Sequence, residues 1–359
     1  MESESQRPEA PVEESGGRRS ALPWIVGLSS SVVFFLLAAR GVEWPALRSA
    51  LAALTQPAAL LLTALCAALT LLRLPARAAR WLLLLRPLGE VTWARLVWVT
   101  TFGATLDNLL PARAGDFARA AILRRDGFSA SGVLATIVVE RVVDIFAALL
   151  LLAVTLWVVP WPPWIETAAL ATAAMAVGAV AALLLAARFR RLAEGLVHRL
   201  AGPLPSALGH RLEGLAEAFL GGLDAALRRR HLPGLLVISA LIQLTHLAAA
   251  WCLILACGLA AGRDAWTASF AVATFTLFAA MVPAAPGQAG TVHFAAVSAL
   301  TLIGVDQAAA LAFAILYHAV GYLPTTLVGG VMLWREGLSW RDPPEGGPAP
   351  RSSHVIGAK

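Results

Sequence analysis

The chain has 359 residues, of which 58% are hydrophobic and only 14% are charged, and its mean hydropathy is +0.73. An ordinary soluble domain carries roughly 25% charged residues, so this composition excludes most soluble enzymes. The net charge is +6 and 27 of the 28 basic residues are arginine. The arginines lie between apolar runs rather than on one face, which indicates an integral membrane protein and does not favour nucleic acid as a partner.

The apolar runs predict an all-α polytopic membrane protein. A bilayer core requires roughly 20 apolar residues per helix. We expect about six full transmembrane helices, at 21–39, 56–72, 133–159, 165–187, 233–258 and 307–334. These form a predicted transmembrane domain at 21–335, flanked by polar tails at 1–20 and 336–359 that we expect to be disordered.

Two further apolar regions are interrupted by proline and glycine. Region 91–110 runs into residues 111–116, and region 266–282 runs into residues 283–290. A break exposed to lipid would leave backbone groups without hydrogen bonds, so a break is tolerated only inside protein or beside a water-filled cavity. We therefore predict two re-entrant hairpins, each made of a broken helix.

The basic residues predict the orientation. Of the 28, 23 fall in segments that share one side of the membrane, and the opposite side keeps Arg40, Arg48 and Arg263. Cytoplasmic loops are enriched in arginine and lysine. We therefore expect a multi-pass protein of the cytoplasmic (inner or plasma) membrane with both termini and the amphipathic segment 188–232 in the cytoplasm.

This orientation makes the two hairpins enter from opposite sides of the membrane. Both tips carry the pattern Pro-Ala-x-x-Gly, at residues 111–115 and 283–287, which suggests an inverted repeat of the kind found in transporters. The count of basic residues also assigns Arg73, Arg77 and Arg80 to a cytoplasmic loop after the second apolar run.

Three charges interrupt the third run, and we expect them to form a structural ion-pair network. They are Glu140, Arg141 and Asp144. Each charge exposed to lipid costs about 2.5–3.5 kcal/mol, so these side chains must face protein or water. Helical spacing lets Arg141 serve both carboxylates. A second cation is needed, and Arg113 or Arg119 of the first hairpin is the nearest candidate in sequence.

The hairpin tips carry the residues that could bind a substrate. An arginine fork at the first tip suits a phosphate, because a guanidinium group binds two phosphate oxygens at once. Alternatively, these arginines pin the hairpin to the third run, and the two roles are compatible. We also expect His293 and His318 to approach each other. The candidate substrate-binding residues are Asn108, Arg113, Asp116, Arg119, Gln288, His293, Tyr317 and His318.

Catalytic signatures are missing from the sequence. It contains no HExxH, GxSxG, P-loop or Rossmann pattern. The three cysteines lie in apolar runs without CxxC spacing, so we expect no metal, no disulfide and no cofactor. The sequence therefore favours a protein that is not an enzyme.

Three motifs together carry a family resemblance. They read Asn108-Leu-Leu-Pro111-Ala-Arg113-Ala-Gly115-Asp116, then Glu140-Arg141-Val-Val-Asp144, then Pro283-Ala-Ala-Pro286-Gly287-Gln-Ala-Gly290. Over roughly residues 20–335 the chain resembles the flippase-like membrane family typified by the transmembrane region of lysylphosphatidylglycerol synthetase. It departs from the family pattern where His293 and His318 replace a frequent glutamate and a frequent arginine.

The resemblance implies a protein that moves a phospholipid or a lipid-linked molecule between leaflets. Two other hypotheses stay open: an intramembrane enzyme acting on a lipid phosphate, and a non-transporting scaffold for a synthetase or glycosyltransferase. The expected partner is a membrane lipid, and a second copy of the chain or a lipid-modifying enzyme is a further candidate. Since the sequence stops soon after its last apolar run, we do not expect it to synthesise lysyl-lipid.

Overall fold

A computed structural model of the chain describes residues 22–40, 55–110, 113–159, 161–203, 232–260, 262–280 and 286–337, with isolated positions between 44 and 52 and between 205 and 220. Throughout these ranges the chain is helical and contains no strand. The predicted tails at 1–20 and 336–359 lie outside the described residues, apart from residues 336 and 337, which end the last helix. The all-α prediction is confirmed for the described part.

The helices of the first half are α1 (Leu22–Ala39), α2 (Pro57–Leu85), α3 (Trp93–Leu109), α4 (Ala114–Arg125), α5 (Ala130–Val158), α6 (Pro163–Arg188) and α7 (Arg190–Ala201). Those of the second half are α8 (Leu232–Ala256), α9 (Gly262–Ala279), α10 (Thr291–Leu302) and α11 (Gln307–Gly337). Among the described residues, α2, α8 and α11 are long and apolar enough to cross a membrane. The chain is thus a helical membrane protein.

Local sequence signals account for several helix starts. The Thr92 hydroxyl accepts a hydrogen bond from the Arg95 N–H and caps α3, and Ser129 does the same for Gly132 at the start of α5. Such caps satisfy backbone donors that would otherwise lack partners. Helix α2 begins with Pro57, which suits the first helical position because proline lacks the N–H that would stay unpaired there.

One prediction about α2 is wrong. The second apolar run was expected to end at residue 72, with Arg73, Arg77 and Arg80 in a loop, whereas α2 continues without interruption to Leu85. The three arginines are therefore part of the helix. Arginine is a good helix former, and charges are tolerated at this depth where they face protein or a polar cavity, which is where these three side chains lie.

The two interrupted regions each form a pair of helices separated by a break. Arg113, at the first break, has left-handed backbone angles (φ 54°, ψ 44°). Gly287, at the second, also has a positive φ, of 66°. In the first pair, α4 crosses α3 so closely that a Cβ on Gly115 would overlap the carbonyl oxygen of Gly103. Residues 111–112 and 281–285 of the two breaks lie outside the described residues.

Two apolar clusters hold the helices together. In the first, α3 and α4 pack against the C-terminal half of α2 and the N-terminal parts of α5 and α8, with Trp81, Leu123 and Leu235 among its members. In the second, α9 and α10 pack against the C-terminal part of α8 and the first half of α11, with Leu253 and Phe313 among its members. The two broken pairs therefore share apolar clusters with opposite ends of α8, and a polar region lies between the clusters.

Candidate functional site

A cavity of about 740 Å³ lies between the two apolar clusters. Its walls come from the middle of α2, α8 and α11, from the charged part of α5, and from both helix breaks. The tips of the broken pairs touch here, because the Arg113 guanidinium donates a hydrogen bond to the carbonyl oxygen of Ala280 at the end of α9. The cavity is thus closed on one side by the contact between the two breaks.

Helix α11 joins the same contact. The Tyr322 hydroxyl donates to the carbonyl oxygen of Asn108 over 3.3 Å, and the Asn108 amide donates to the Thr326 hydroxyl over 2.8 Å. At the second break, the Nε2–H of His318 donates to the carbonyl oxygen of Gly287 over 2.8 Å. Backbone groups left free by the breaks therefore find partners within the protein, as a break at membrane depth requires.

Beside the cavity lies a closed circuit of ion pairs, which we call the charge ring; its members are Arg80, Glu140, Arg119, Asp116, Arg141 and Asp144. Arg119 bridges Glu140 (2.6 Å) and Asp116 (3.3 Å). Arg141 bridges Asp116 (2.7 Å) and Asp144 (3.4 Å). Arg80 bridges Asp144 (2.7 Å) and Glu140 (3.6 Å). Three guanidinium groups alternate with three carboxylates, so the ring is electrically neutral.

Part of the ring is deeply buried. Arg80 and Glu140 are each 1% exposed, and Arg119 is 3% exposed. The Arg119 guanidinium also stacks on the Trp81 indole, 3.8 Å from the ring centroid, and Arg80 donates to the Ser239 hydroxyl. The charge ring therefore ties α2, α4, α5 and α8 together.

Besides Arg141, two further cations pair with the α5 carboxylates, namely Arg119 and Arg80. Arg119, which the sequence proposed, pairs with Glu140, whereas Arg113 points to the other break. Arg80 is the partner that sequence reasoning missed, because it was assigned to a loop. The spacing of Arg73, Arg77 and Arg80 repeats at four and three residues, which places all three on one helix face, and this signal could have revealed it.

Three arginines line the cavity outside the charge ring: Arg73, Arg77 and Arg113. Within the described part of the chain, Arg73 and Arg77 form no ion pair and no hydrogen bond, and the Nε atom of Arg73 is buried without a partner. One carboxylate, Asp107, shares this wall and accepts a hydrogen bond from the Gly115 N–H over 2.8 Å. The wall outside the ring therefore carries three guanidinium groups against one carboxylate.

The structure distributes the predicted substrate-binding residues over three places. Asn108, Arg113, Gln288, Tyr317 and His318 line the cavity. Asp116 and Arg119 are instead occupied in the charge ring. His293 is only 7% exposed and lies behind His318, with ring centroids 4.7 Å apart, so the expected approach of the two histidines is seen.

Uncharged polar groups from α8, α9 and α11 also line the cavity. Tyr317 links two helices, since its hydroxyl lies 3.2 Å from the Nε2 of His246 on α8 and 3.2 Å from the Thr276 hydroxyl on α9. These three groups are hydrogen-bonded to one another, so the guanidinium groups are the donors that the cavity offers to an oxyanion. An anionic group with several oxygens is the ligand that this donor set suits best.

Comparison with known proteins agrees with the resemblance found in the motifs. The sequence profile of the lysylphosphatidylglycerol synthase transmembrane region matches residues 24–329. This range includes all the described helices except the first two residues of α1 and the last eight residues of α11. Among curated proteins, no sequence matches the chain. The matched region contains both breaks, the charge ring and every residue that lines the cavity. The chain therefore belongs to the family of the lysylphosphatidylglycerol synthase transmembrane region.

Proposed function

We propose that this protein translocates a phospholipid or a lipid-linked molecule between the leaflets of the cytoplasmic membrane. The family gives it a role connected with membrane lipids. The observation that carries the finer proposal is the arginine-lined cavity between two broken helix pairs. A headgroup crossing alone would meet the cost of burying charge in hydrocarbon. A cavity lined with guanidinium groups replaces the lost water with charge-assisted hydrogen bonds.

The proposed topology has six transmembrane crossings and two re-entrant hairpins of opposite polarity, with both termini in the cytoplasm. It is supported by the two apolar clusters, in which α3–α4 and α9–α10 lie together with opposite ends of α8. Moving three arginines from a loop into α2 still leaves most basic residues on the proposed cytoplasmic side, so the orientation argument holds.

Labelling of single cysteines from outside the cell tests this topology. In a background with the three native cysteines replaced by alanine, Pro162→Cys and Arg263→Cys should react with an impermeant maleimide, and Leu200→Cys should not. Strong labelling at position 200 in intact cells, with weak labelling at 162, would contradict the orientation. Labelling of all three positions after permeabilisation serves as the control.

The proposed mechanism holds the lipid phosphate in the cavity while the acyl chains remain in the surrounding lipid. Opposed hairpins leave only a thin barrier between the two sides, so a small rocking of one broken pair against the other would alternate access. The contacts that such a movement has to break are the hydrogen bond from Arg113 to Ala280 and the one from Tyr322 to Asn108. Arg113 would thus bind phosphate in one state and contact the other hairpin, through Ala280, in another.

Arg113→Lys tests the phosphate-binding role. Lysine keeps the positive charge but loses the planar fork that binds two oxygens. In liposomes, the variant should move a fluorescent phospholipid more slowly than wild type, with little change in thermal stability. Arg124→Lys, an exposed change on the same helix, is the matched control and should transport normally. Transport by Arg113→Lys at the wild-type rate, well above protein-free vesicles, would refute the role.

The same vesicles separate transport from the rival hypotheses. A translocase returns the lipid with its mass unchanged, whereas an enzyme acting on the lipid phosphate yields a product of different mass. A scaffold would leave the lipid in its original leaflet. Mass spectrometry of the recovered lipid beside the leaflet assay therefore decides among the three.

A further inference from the structure

We infer that Arg73 and Arg77, together with Arg113, bind a phosphate group that carries two negative charges, as in the phosphate monoester or diphosphate headgroup of a lipid. The inference deepens the proposed function and rests on it for the lipid source of that phosphate. It assigns a binding role to two arginines that sequence reasoning placed in a loop.

Arg73 and Arg77 are four residues apart in α2, so their side chains lie on one face of the helix. Both line the cavity, which Arg113 borders from the first break. Three guanidinium groups, two from α2 and one from the first break, therefore border the same cavity.

Arg80, three residues after Arg77, meets two carboxylates, whereas Arg73 and Arg77 meet none within the described part of the chain. The buried Nε of Arg73 is a donor without an acceptor. The Nε atoms of Arg80 and Arg119 also lack an acceptor, but the terminal nitrogens of those two side chains meet carboxylates. The Arg73 guanidinium meets no acceptor in the described part of the chain although it borders the cavity, and buried donors nearly always have a partner, so Arg73 points to a ligand.

The charge ring is neutral, so its arginines add nothing to the cavity's net charge. Outside it, the described lining of the cavity has three guanidinium groups and one carboxylate, that of Asp107, which leaves an excess of two positive charges when Asp107 is ionised. A phosphodiester with one negative charge would leave one cation uncompensated at low dielectric, which is costly. A doubly charged phosphate balances both.

Size and donor chemistry agree with this ligand. A volume of about 740 Å³ lies in the range of pockets for small molecules, so a phosphorylated headgroup fits. The Thr70 hydroxyl adds a polar group on the same wall. Forked guanidinium groups prefer tetrahedral or planar oxyanions that accept two hydrogen bonds at once.

Binding to the purified full chain in a neutral detergent tests the inference. Three probes are compared at about pH 8, where a phosphate monoester has lost its second proton: dioleoyl phosphatidic acid, dioleoyl phosphatidylglycerol and inorganic phosphate. We expect phosphatidic acid to bind about ten-fold or more tightly than phosphatidylglycerol. Equal affinities for the two lipids would overturn the inference, and this comparison needs no variant.

Inorganic phosphate identifies the source of the ligand. If it binds far more weakly than phosphatidic acid, the site takes a lipid headgroup, as we infer. If it binds as tightly as phosphatidic acid, the lipid source is wrong and the site takes free phosphate.

Two variants and a control assign the binding to the named arginines. Arg73→Gln and Arg77→Gln should each remove most of the preference for phosphatidic acid, and Arg77→Lys should retain part of it. Arg86→Gln changes an exposed arginine just after the same helix and should bind like wild type. If both glutamine variants fold with wild-type thermal stability and keep the full preference, the assignment is wrong.

Failure of the inference can be told apart from failure of the proposed function. Wild-type protein that moves lipid between leaflets but binds both lipids equally would refute the doubly charged ligand and leave the translocase intact. Protein that binds phosphatidic acid selectively but moves no lipid would support the site and refute the translocase.

Discussion

Arginine side chains have different roles in the charge ring and in the cavity wall. Arg80 is 1% exposed and contacts two carboxylates, while Arg77, one helical turn earlier, lines the cavity without an ion pair in the described structure. Removing one partner of a buried pair leaves an uncompensated charge, so the ring stabilises the fold. Charges beside a cavity that form no ion pair gain less from the protein, and a ligand can supply the interactions that they lack. The difference separates structural from binding arginines.

The largest expected effect comes from breaking the ring at its buried side. Arg119→Ala removes the nearest cation from Glu140, which is 1% exposed, and also the stacking on Trp81. Loss of one partner from a buried ion pair costs about 3–5 kcal/mol. We therefore expect a large fall in thermal stability, measured by scanning fluorimetry of the purified protein.

Two further variants sharpen this result. Arg141→Ala should cost less, because Asp116 keeps Arg119 and Asp144 keeps Arg80, and because Arg141 is 29% exposed. Arg124→Ala, on the exposed part of α4, is the control and should change little. A stability of Arg119→Ala equal to that of the control would show that the ring does not hold the fold.

The next effect comes from separating α3 and α4. Gly115→Ala places a Cβ where the carbonyl oxygen of Gly103 lies, so the two helices must move apart. Overpacking of this kind costs about 1–3 kcal/mol. The control is Gly195→Ala in α7, where a Cβ meets nothing within 4 Å and the change should be neutral or stabilising. Equal melting temperatures for the two variants would contradict the close crossing.

A smaller effect on stability is expected from the cavity wall. Arg77→Gln removes a charge that has no ion pair within the described residues, so the free energy of unfolding should stay within about 0.5 kcal/mol of wild type or rise. The contrast with Arg119→Ala is the point of the measurement. A loss of stability as large as that of Arg119→Ala would show that Arg77, like Arg119, stabilises the fold.

The smallest effect concerns the surface segment after α7. A hydrogen bond from His198 holds the pKa of the exposed Glu213 carboxyl below its usual value. A depressed pKa makes this contact favourable above the ordinary carboxyl range, and the contact is lost as the pH falls through the lowered pKa. NMR titration of labelled glutamate should show the Glu213 pKa rise in His198→Ala, while melting temperatures stay the same, since the pair is solvent-exposed.

The sequence predicted the features that depend on local pattern. The apolar runs predicted the helices, and proline with glycine marked both breaks, which the structure places at 110–113 and 280–290. The charges of the third run required partners from elsewhere, and Arg119 was among the candidates. The expected approach of His293 and His318 is also seen.

What the sequence did not predict depends on long-range packing. The run of α2 through Arg73, Arg77 and Arg80 is stable because carboxylates of α5, some sixty residues later, and the cavity accept these charges. Nothing in the local pattern of α2 shows this. Likewise, the arginines divide into ring and cavity members only when the helices are assembled. The sequence left Arg119 a candidate both for a phosphate and for an ion pair with the third run, and the structure shows the ion pair.

The most direct test of the central claim is lipid translocation by the double variant Arg73→Gln/Arg77→Gln. Wild type, the double variant and Arg86→Gln are reconstituted at equal density in liposomes, and the appearance of fluorescent phosphatidic acid in the opposite leaflet is followed over time. We expect wild type and Arg86→Gln to be alike and the double variant, with unchanged thermal stability, to be slower by about ten-fold or more. Translocation by the double variant at the wild-type rate would contradict a cavity whose unpaired arginines bind the headgroup.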